Sequence, residues 1–138
     1  MDNAQNNEPG NILVVDDEET IRTVFDLAIT RAGHTGCYAK SGYEALDILK
    51  TEKNINVIFV DLNLPDMSGV ELCSRIRTDR PEAVINAITG YAPFFDITEC
   101  YRSGFDDYLE KPIGADRLMT SIHKAVSMKR KPLQMFHH

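Results

Sequence analysis

Short continuous apolar runs alternate along the chain with longer stretches of helical period. Ile12-Leu13-Val14-Val15 and Val57-Ile58-Phe59-Val60 lack polar alternation, the pattern of strands covered on both faces of a parallel sheet. Ala83-Val84-Ile85-Asn86-Ala87-Ile88 and Asp107-Tyr108-Leu109 read as two more strands, and His34-Thr35-Gly36-Cys37-Tyr38-Ala39 as a fifth with a less regular pattern. Asn86 interrupts its run, because an amide in a central strand needs a partner.

From Glu18 to Ala32, residues Ile21, Val24, Phe25, Ala28 and Ala32 form one stripe, with Asp16 or Asp17 placed to cap the start and Gly33 the end. Ser41 caps a segment carrying Ala45, Leu46 and Leu49, and Ser68 one carrying Val70, Leu72, Cys73 and Ile76. A fourth helix is expected from about Pro93 to Ser103, closed by Gly104. A fifth runs from Gly114 or Ala115 through Leu118, Met119, Ile122 and Val126, and Pro132 limits its extension. Strand then helix, five times over with short links, predicts an α/β domain whose five-stranded parallel sheet is flanked by helices.

The length of 138 residues suits one domain. Residues 1–10 are polar and read as a disordered lead, 11–128 as the domain and 129–138 as a tail. No apolar run approaches the roughly 18 residues of a membrane span, and the start lacks a secretory signal pattern. A cytoplasmic protein without membrane contact is therefore expected. The net charge of −6 argues against direct nucleic-acid binding. Cys37, Cys73 and Cys100 have no zinc spacing and read as small buried thiols.

In an open parallel sheet the ligand site lies beyond the carboxyl ends of the strands. At those ends stand Asp16 and Asp17, then Asp61, then Thr89 with Gly90, then Lys111 with Pro112. Singly, each has an ordinary reading: a cap, a turn residue, a polar strand end, a solvated lysine. Their coincidence on one rim shifts the balance. Carboxylates about 4–6 Å apart repel one another unless a cation intervenes. A hard divalent ion such as Mg²⁺, with Mn²⁺ as its substitute, suits oxygen ligands. With a lysine and a hydroxyl added, the set can receive a phosphoryl group, and a carboxylate can be the nucleophile.

The stretches Ile12–Glu18 (ILVVDDE), Val60–Gly69 (VDLNLPDMSG), Ile88-Thr89-Gly90 and Gly104–Pro112 (GFDDYLEKP) resemble the receiver domain of two-component response regulators, from about Asn11 to Met128. The resemblance implies a doubly wound (βα)5 fold of the flavodoxin type, with strand order 2-1-3-4-5. It implies that Asp61 accepts phosphate from a phosphohistidine of a sensor histidine kinase or histidine phosphotransfer protein. Asp16, Asp17, Asp61 and the backbone carbonyl of Asn63 would hold Mg²⁺. Thr89 and Lys111 would bind phosphoryl oxygens, the Lys111–Pro112 peptide would be cis, and Thr89 and Tyr108 would switch together. The face built from the fourth helix, fifth strand and fifth helix would then meet a partner or a second copy. Such a domain is a phosphoacceptor, not a turnover enzyme.

Gly90 is small, as phosphoryl access requires, whereas Tyr91 and Asn63 would overhang the phosphoryl group, and Tyr91 is expected to shield it from water. Phe94, Phe95, Tyr101 and Phe105 make the fourth helical region unusually aromatic. Phe94 and Phe95, roughly 100° apart on a helix, cannot both face inward, so an apolar docking face is expected there. Among rivals, an aspartate-nucleophile phosphohydrolase would carry a second aspartate where Asn63 stands. A flavin or dinucleotide carrier would need a glycine-rich loop after the first strand. A degenerate receiver acting only by binding remains the third.

Overall fold

The computed structural model describes residues 11–90 and 97–128. The lead, the tail and the expectations for Tyr91, Pro93, Phe94 and Phe95 lie outside them. The elements are β1 (Asn11–Val15), α1 (Glu19–Arg31), β2 (Thr35–Ala39), α2 (Gly42–Thr51), β3 (Ile55–Asp61), α3 (Gly69–Asp79), β4 (Val84–Thr89), α4 (Ile97–Arg102), β5 (Asp107–Glu110) and α5 (Ala115–Ser127). All strand pairs are parallel, in the order β2-β1-β3-β4-β5. Among the described residues no helix is long and apolar enough to cross a membrane.

The continuous apolar runs are continuous because both faces are covered. Leu13, Val15, Ile58, Val60, Ile85 and Ala87 meet α2, α3 and α4 through Ala45, Leu49, Leu72, Cys73, Ile76 and Cys100. Ile12, Val14, Phe59, Val84 and Ile88 meet α1 and α5 through Phe25, Ile29, Leu118, Ile122 and Ala125. Fully burying one such aliphatic or aromatic side chain is worth about 1.5–3 kcal/mol. Ser41 and Ser68 cap α2 and α3 by accepting from the amides of Glu44 and Glu71. Gly33 takes the positive φ of 87° that ends α1.

Several expectations need correcting. The stripe of α1 is narrower than its apolar content: Phe25 and Ile29 are buried, whereas Val24 and Leu27 are 42% and 68% exposed. Neither Asp16 nor Asp17 is the N-cap of α1; Glu18 is, with no side-chain cap bond. Asp16 closes the preceding turn instead, its Oδ1 accepting from the Glu18 amide at 2.9 Å. Cys73 and Cys100 are buried, but Cys37 on the edge strand is only half-buried. Phe105 belongs to the core at 3% exposure, leaving Tyr101 as the exposed aromatic of this region among the described residues. Asn86 is 3% exposed, and its Oδ1 accepts no hydrogen bond among the described residues.

Candidate functional site

Strand order and register assemble the site. The order in which strands are added to the sheet reverses between β1 and β3, so the loops after these parallel strands diverge and leave a crevice at their carboxyl ends. Val15 pairs with Val60, which makes Asp16 and Asp61 neighbours one strand spacing apart, about 4.8 Å. Asp61 pairs with Ile88 and Thr89 with Glu110, so Thr89 and Lys111 follow on the same rim. The Lys111 amide donates to the Thr89 carbonyl at 2.8 Å, continuing the ladder up to the lysine. The Lys111–Pro112 peptide is cis.

Asp16 is fully buried, Asp61 4% exposed and Thr89 4% exposed, while Asp17 is exposed. One ligand atom from each of Asp16, Asp17 and Asp61 lies within 4.8 Å of the others. Lys111 Nζ stands 3.2 Å from Asp16 Oδ2 and 3.4 Å from Asp61 Oδ2. Asp16 Oδ2 is buried and meets Lys111 as an ion pair, without a hydrogen bond. Burial, with the Asp61 charge adding to it, pushes the Asp16 carboxyl up from 3.8 to about 6, against the pull of the Glu18 amide and Lys111. Burial likewise raises Asp61, opposed by the Asn63 amide and Lys111. Burial works against the charge on Lys111, yet its bond to Glu18 and the charges of Asp16 and Asp61 hold its pKa above the ordinary value.

These observations test the fit of a divalent cation. An octahedral Mg²⁺ with bonds of about 2.1 Å sets its ligands about 3.0–4.2 Å apart, so oxygens within 4.8 Å of one another are close enough to share one ion after a small adjustment or through a water. The undonated Asp16 Oδ2 and the raised carboxyl are what a site built for a cation shows without one. The residues fit the ion.

Local structure fixes the loop after Asp61. The Asn63 amide donates to Asp61 Oδ1 at 3.0 Å, and the Gly69 amide to the Leu62 carbonyl at 2.9 Å. A Cβ on Gly69 would collide with the Asp61 carbonyl oxygen and lie 2.7 Å from Leu62 Cα, so α3 starts directly against the backbone of Asp61. Asp66 reaches the other way, its two oxygens accepting from the amides of Gly42 and Tyr43 at 2.9 Å each. Gly90 is exposed, and a Cβ there would meet Lys111 Cδ at an ordinary 3.9 Å; packing within the resting site does not demand the glycine. Tyr108 is half-buried and packs on the α2–α4 side of the sheet. It pairs with Ala87 and shares that face with Thr89.

The five rim residues Asp16, Asp17, Asp61, Thr89 and Lys111 thus converge as expected. Two contributors had no local signal. Glu18 bonds Lys111 at 2.8 Å across 93 positions of sequence, and Asp66 caps a helix that precedes it.

A family model described as the response regulator receiver domain matches residues 12–123. The transcriptional regulatory protein AfsQ1 of Streptomyces coelicolor is 36% identical over 104 residues, covering 75% of this chain and 45% of that protein. The chain spans less than half the length of the curated relatives it matches first, at 45%, 30% and 27%. Among solved structures, a CheY-like receiver domain from Methanospirillum hungatei JF-1 superposes with a TM-score of 0.78 at 28% identity, over 85% of this chain and 93% of that one. A response regulator from Burkholderia pseudomallei, solved with a phosphorylated aspartic acid, calcium ion and citrate, gives 0.73 at 32% identity over 86% and 67%.

Proposed function

Because the chain belongs to the response regulator receiver domain family, a signalling module of two-component systems, we propose that it accepts a phosphoryl group on Asp61 and relays that event through a change of surface. The observation that carries the reading is the position of Lys111 Nζ, 3.4 Å from Asp61 Oδ2, beside carboxylates clustered within 4.8 Å. The donor would be a phosphohistidine on a sensor kinase or a histidine phosphotransfer protein. An Asp61 carboxylate oxygen forms the new O–P bond as the P–N bond breaks. The electron pair stays on the imidazole, which leaves neutral because its other nitrogen carries a proton.

Asp16, Asp17, Asp61 and the Asn63 carbonyl would hold Mg²⁺, which when bound neutralises charge on phosphoryl oxygens. Lys111 would bind a second oxygen and Thr89 a third. The relative with a phosphorylated aspartic acid and calcium ion supports both assignments by similarity. Thr89 and Tyr108 share a face with the small Ala87, which pairs with Tyr108. A Thr89 hydroxyl drawn toward phosphate would leave room for the ring, a shift between two packings. The readout surface would be α4, β5 and α5, toward a protein partner or a second copy.

The test is intact mass after exposure to a small phosphodonor with Mg²⁺. One base-labile phosphoryl adduct that Asp61→Asn abolishes is the expected result. No adduct on the wild-type chain would leave a binding-only receiver and reject the reading.

A further inference from the structure

Lys111 makes its shortest contact with neither the acceptor nor the metal set. Its Nζ lies 2.8 Å from Glu18 Oε1, against 3.2 Å to Asp16 and 3.4 Å to Asp61. Glu18 is not part of the carboxylate group that could hold an ion, and its side chain does not cap α1 although it occupies the cap position. Its backbone is pinned at both ends: the amide donates to Asp16 Oδ1 at 2.9 Å and the carbonyl accepts from Arg22 at 3.2 Å. The Arg22 guanidinium also holds the Asp16 carbonyl at 2.9 Å. So the main chain is fixed, the carboxylate is spare, and it extends over the mouth of the pocket to the lysine. The Lys111 side chain is 18% exposed and that of Glu18 55%, which puts Glu18 on the solvent side.

We propose that Glu18 is an anionic placeholder for a phosphoryl oxygen: it occupies the ammonium of Lys111 in the resting site and must be displaced when the phosphoryl group binds. This rests on Asp61 being the phosphoacceptor with Lys111 as a phosphoryl ligand. Glu18 acts through Lys111, touches no reacting atom, and is a positioning residue. Chemically the exchange is one anion for another. A carboxylate oxygen leaves Lys111 for water, and a phosphoryl oxygen takes its place. Neutralising Glu18 removes the competitor and also an anionic charge that an incoming phosphoryl donor must approach.

The experiment compares wild type, Glu18→Gln and Glu18→Asp for binding of beryllofluoride, a phosphoryl analogue, at saturating Mg²⁺, and separately for Mg²⁺ alone, both by calorimetry. Glu18→Gln should tighten beryllofluoride binding about three- to tenfold, the range set by displacing a half-exposed ion pair and its field. It should leave Mg²⁺ affinity equal or lower, since a released lysine leans toward the metal ligands. Glu18→Asp, which keeps the charge, should return binding toward the wild-type value. A merely structural role would weaken both ligands together. Beryllofluoride binding that is unchanged or weaker in Glu18→Gln, with wild type binding normally, overturns the placeholder alone. If wild type binds no beryllofluoride and takes no phosphoryl group, the phosphoacceptor reading fails and the placeholder with it.

Discussion

Asp16→Asn should stabilise the metal-free protein and destroy its response to magnesium. The Asp16 side chain is fully buried, and its carboxyl is raised from 3.8 to about 6 chiefly by desolvation. Such a shift is worth about 3 kcal/mol between the two protonation states. A group whose folded pKa is raised binds more protons folded than unfolded between those two values. Wild-type stability therefore falls as pH climbs from 3.8 toward about 6 and stays lowered above it. Asparagine carries no charge to desolvate and still offers Oδ1 to the Glu18 amide, but it gives up the attraction of Lys111. The net gain at pH 7.5 should be about 1–2 kcal/mol, or about 3–8 °C in Tm for a domain of this size. Magnesium at a hundredfold excess over its Kd adds about 2.7 kcal/mol to the wild type and little to the variant, reversing their order.

The assay is thermal unfolding by circular dichroism from pH 3.5 to 8, first with chelator and then with Mg²⁺. The two proteins should converge at the acid end, separate through the window up to about 6, and exchange rank when metal is added. Equal stability at pH 7.5 in chelator, or equal magnesium stabilisation of both, would refute the electrostatic account of the pocket.

Other consequences follow from single contacts. Gly69→Ala drives a methyl onto the Asp61 carbonyl and to 2.7 Å from Leu62 Cα; urea unfolding should show a loss of about 1–3 kcal/mol, with slower phosphoryl uptake by mass spectrometry. Arg77→Leu removes the guanidinium that bonds the Gly104 carbonyl at 2.7 Å and Asp106, whose side chain is 4% exposed, at 3.2 Å. Breaking such a buried pair should cost about 3–5 kcal/mol in urea unfolding, and a loss below about 1 kcal/mol would contradict it. Asp66→Ala should cost about 1 kcal/mol as a lost cap. Desolvation works against the Asp66 charge, but the amides of Tyr43 and Gly42 outweigh it and hold the carboxyl below 3.8. Its contribution is therefore present above that value and lost as pH falls below it, so wild type and Asp66→Ala should converge in acid.

What could be read without coordinates was whatever is carried by order and register. Continuous apolar runs ending in Asp16, Asp61 and Thr89 led to the rim cluster, because parallel pairing leaves the strand ends side by side. What could not be read depends on distant partners. Glu18 looked like an acid at a helix start, and nothing near it in sequence names Lys111 as its mate. Asp66 carried no signal of its own, yet it caps α2 some two dozen positions upstream. Val24 fitted the apolar stripe of α1 and proved 42% exposed, because it lies on the flank of the face that packs through Ile21, Phe25, Ala28, Ile29 and Ala32. Phe105, expected in an aromatic surface, lies in the core because Gly104, at φ 112°, turns the chain inward there.

A signalling site has to be poorly satisfied at rest. A ligand shifts an equilibrium only by the difference in its contacts between two states, so a pocket already neutral and fully hydrogen-bonded would leave a phosphoryl group little to improve. Here the resting pocket is visibly incomplete: Asp16 Oδ2 is buried without a donor, the Asp16 and Asp61 carboxyls are both raised, and Lys111 is shared among three carboxylates. The two apolar layers on either side of the sheet hold the strand ends in this arrangement despite the repulsion. Filling the core better elsewhere should therefore raise stability without altering phosphoryl affinity, whereas relieving the charge at Asp16 should raise stability and abolish the response to metal. That separation between the two kinds of stabilising change is what an electrostatically loaded rim on an independently stable sheet requires.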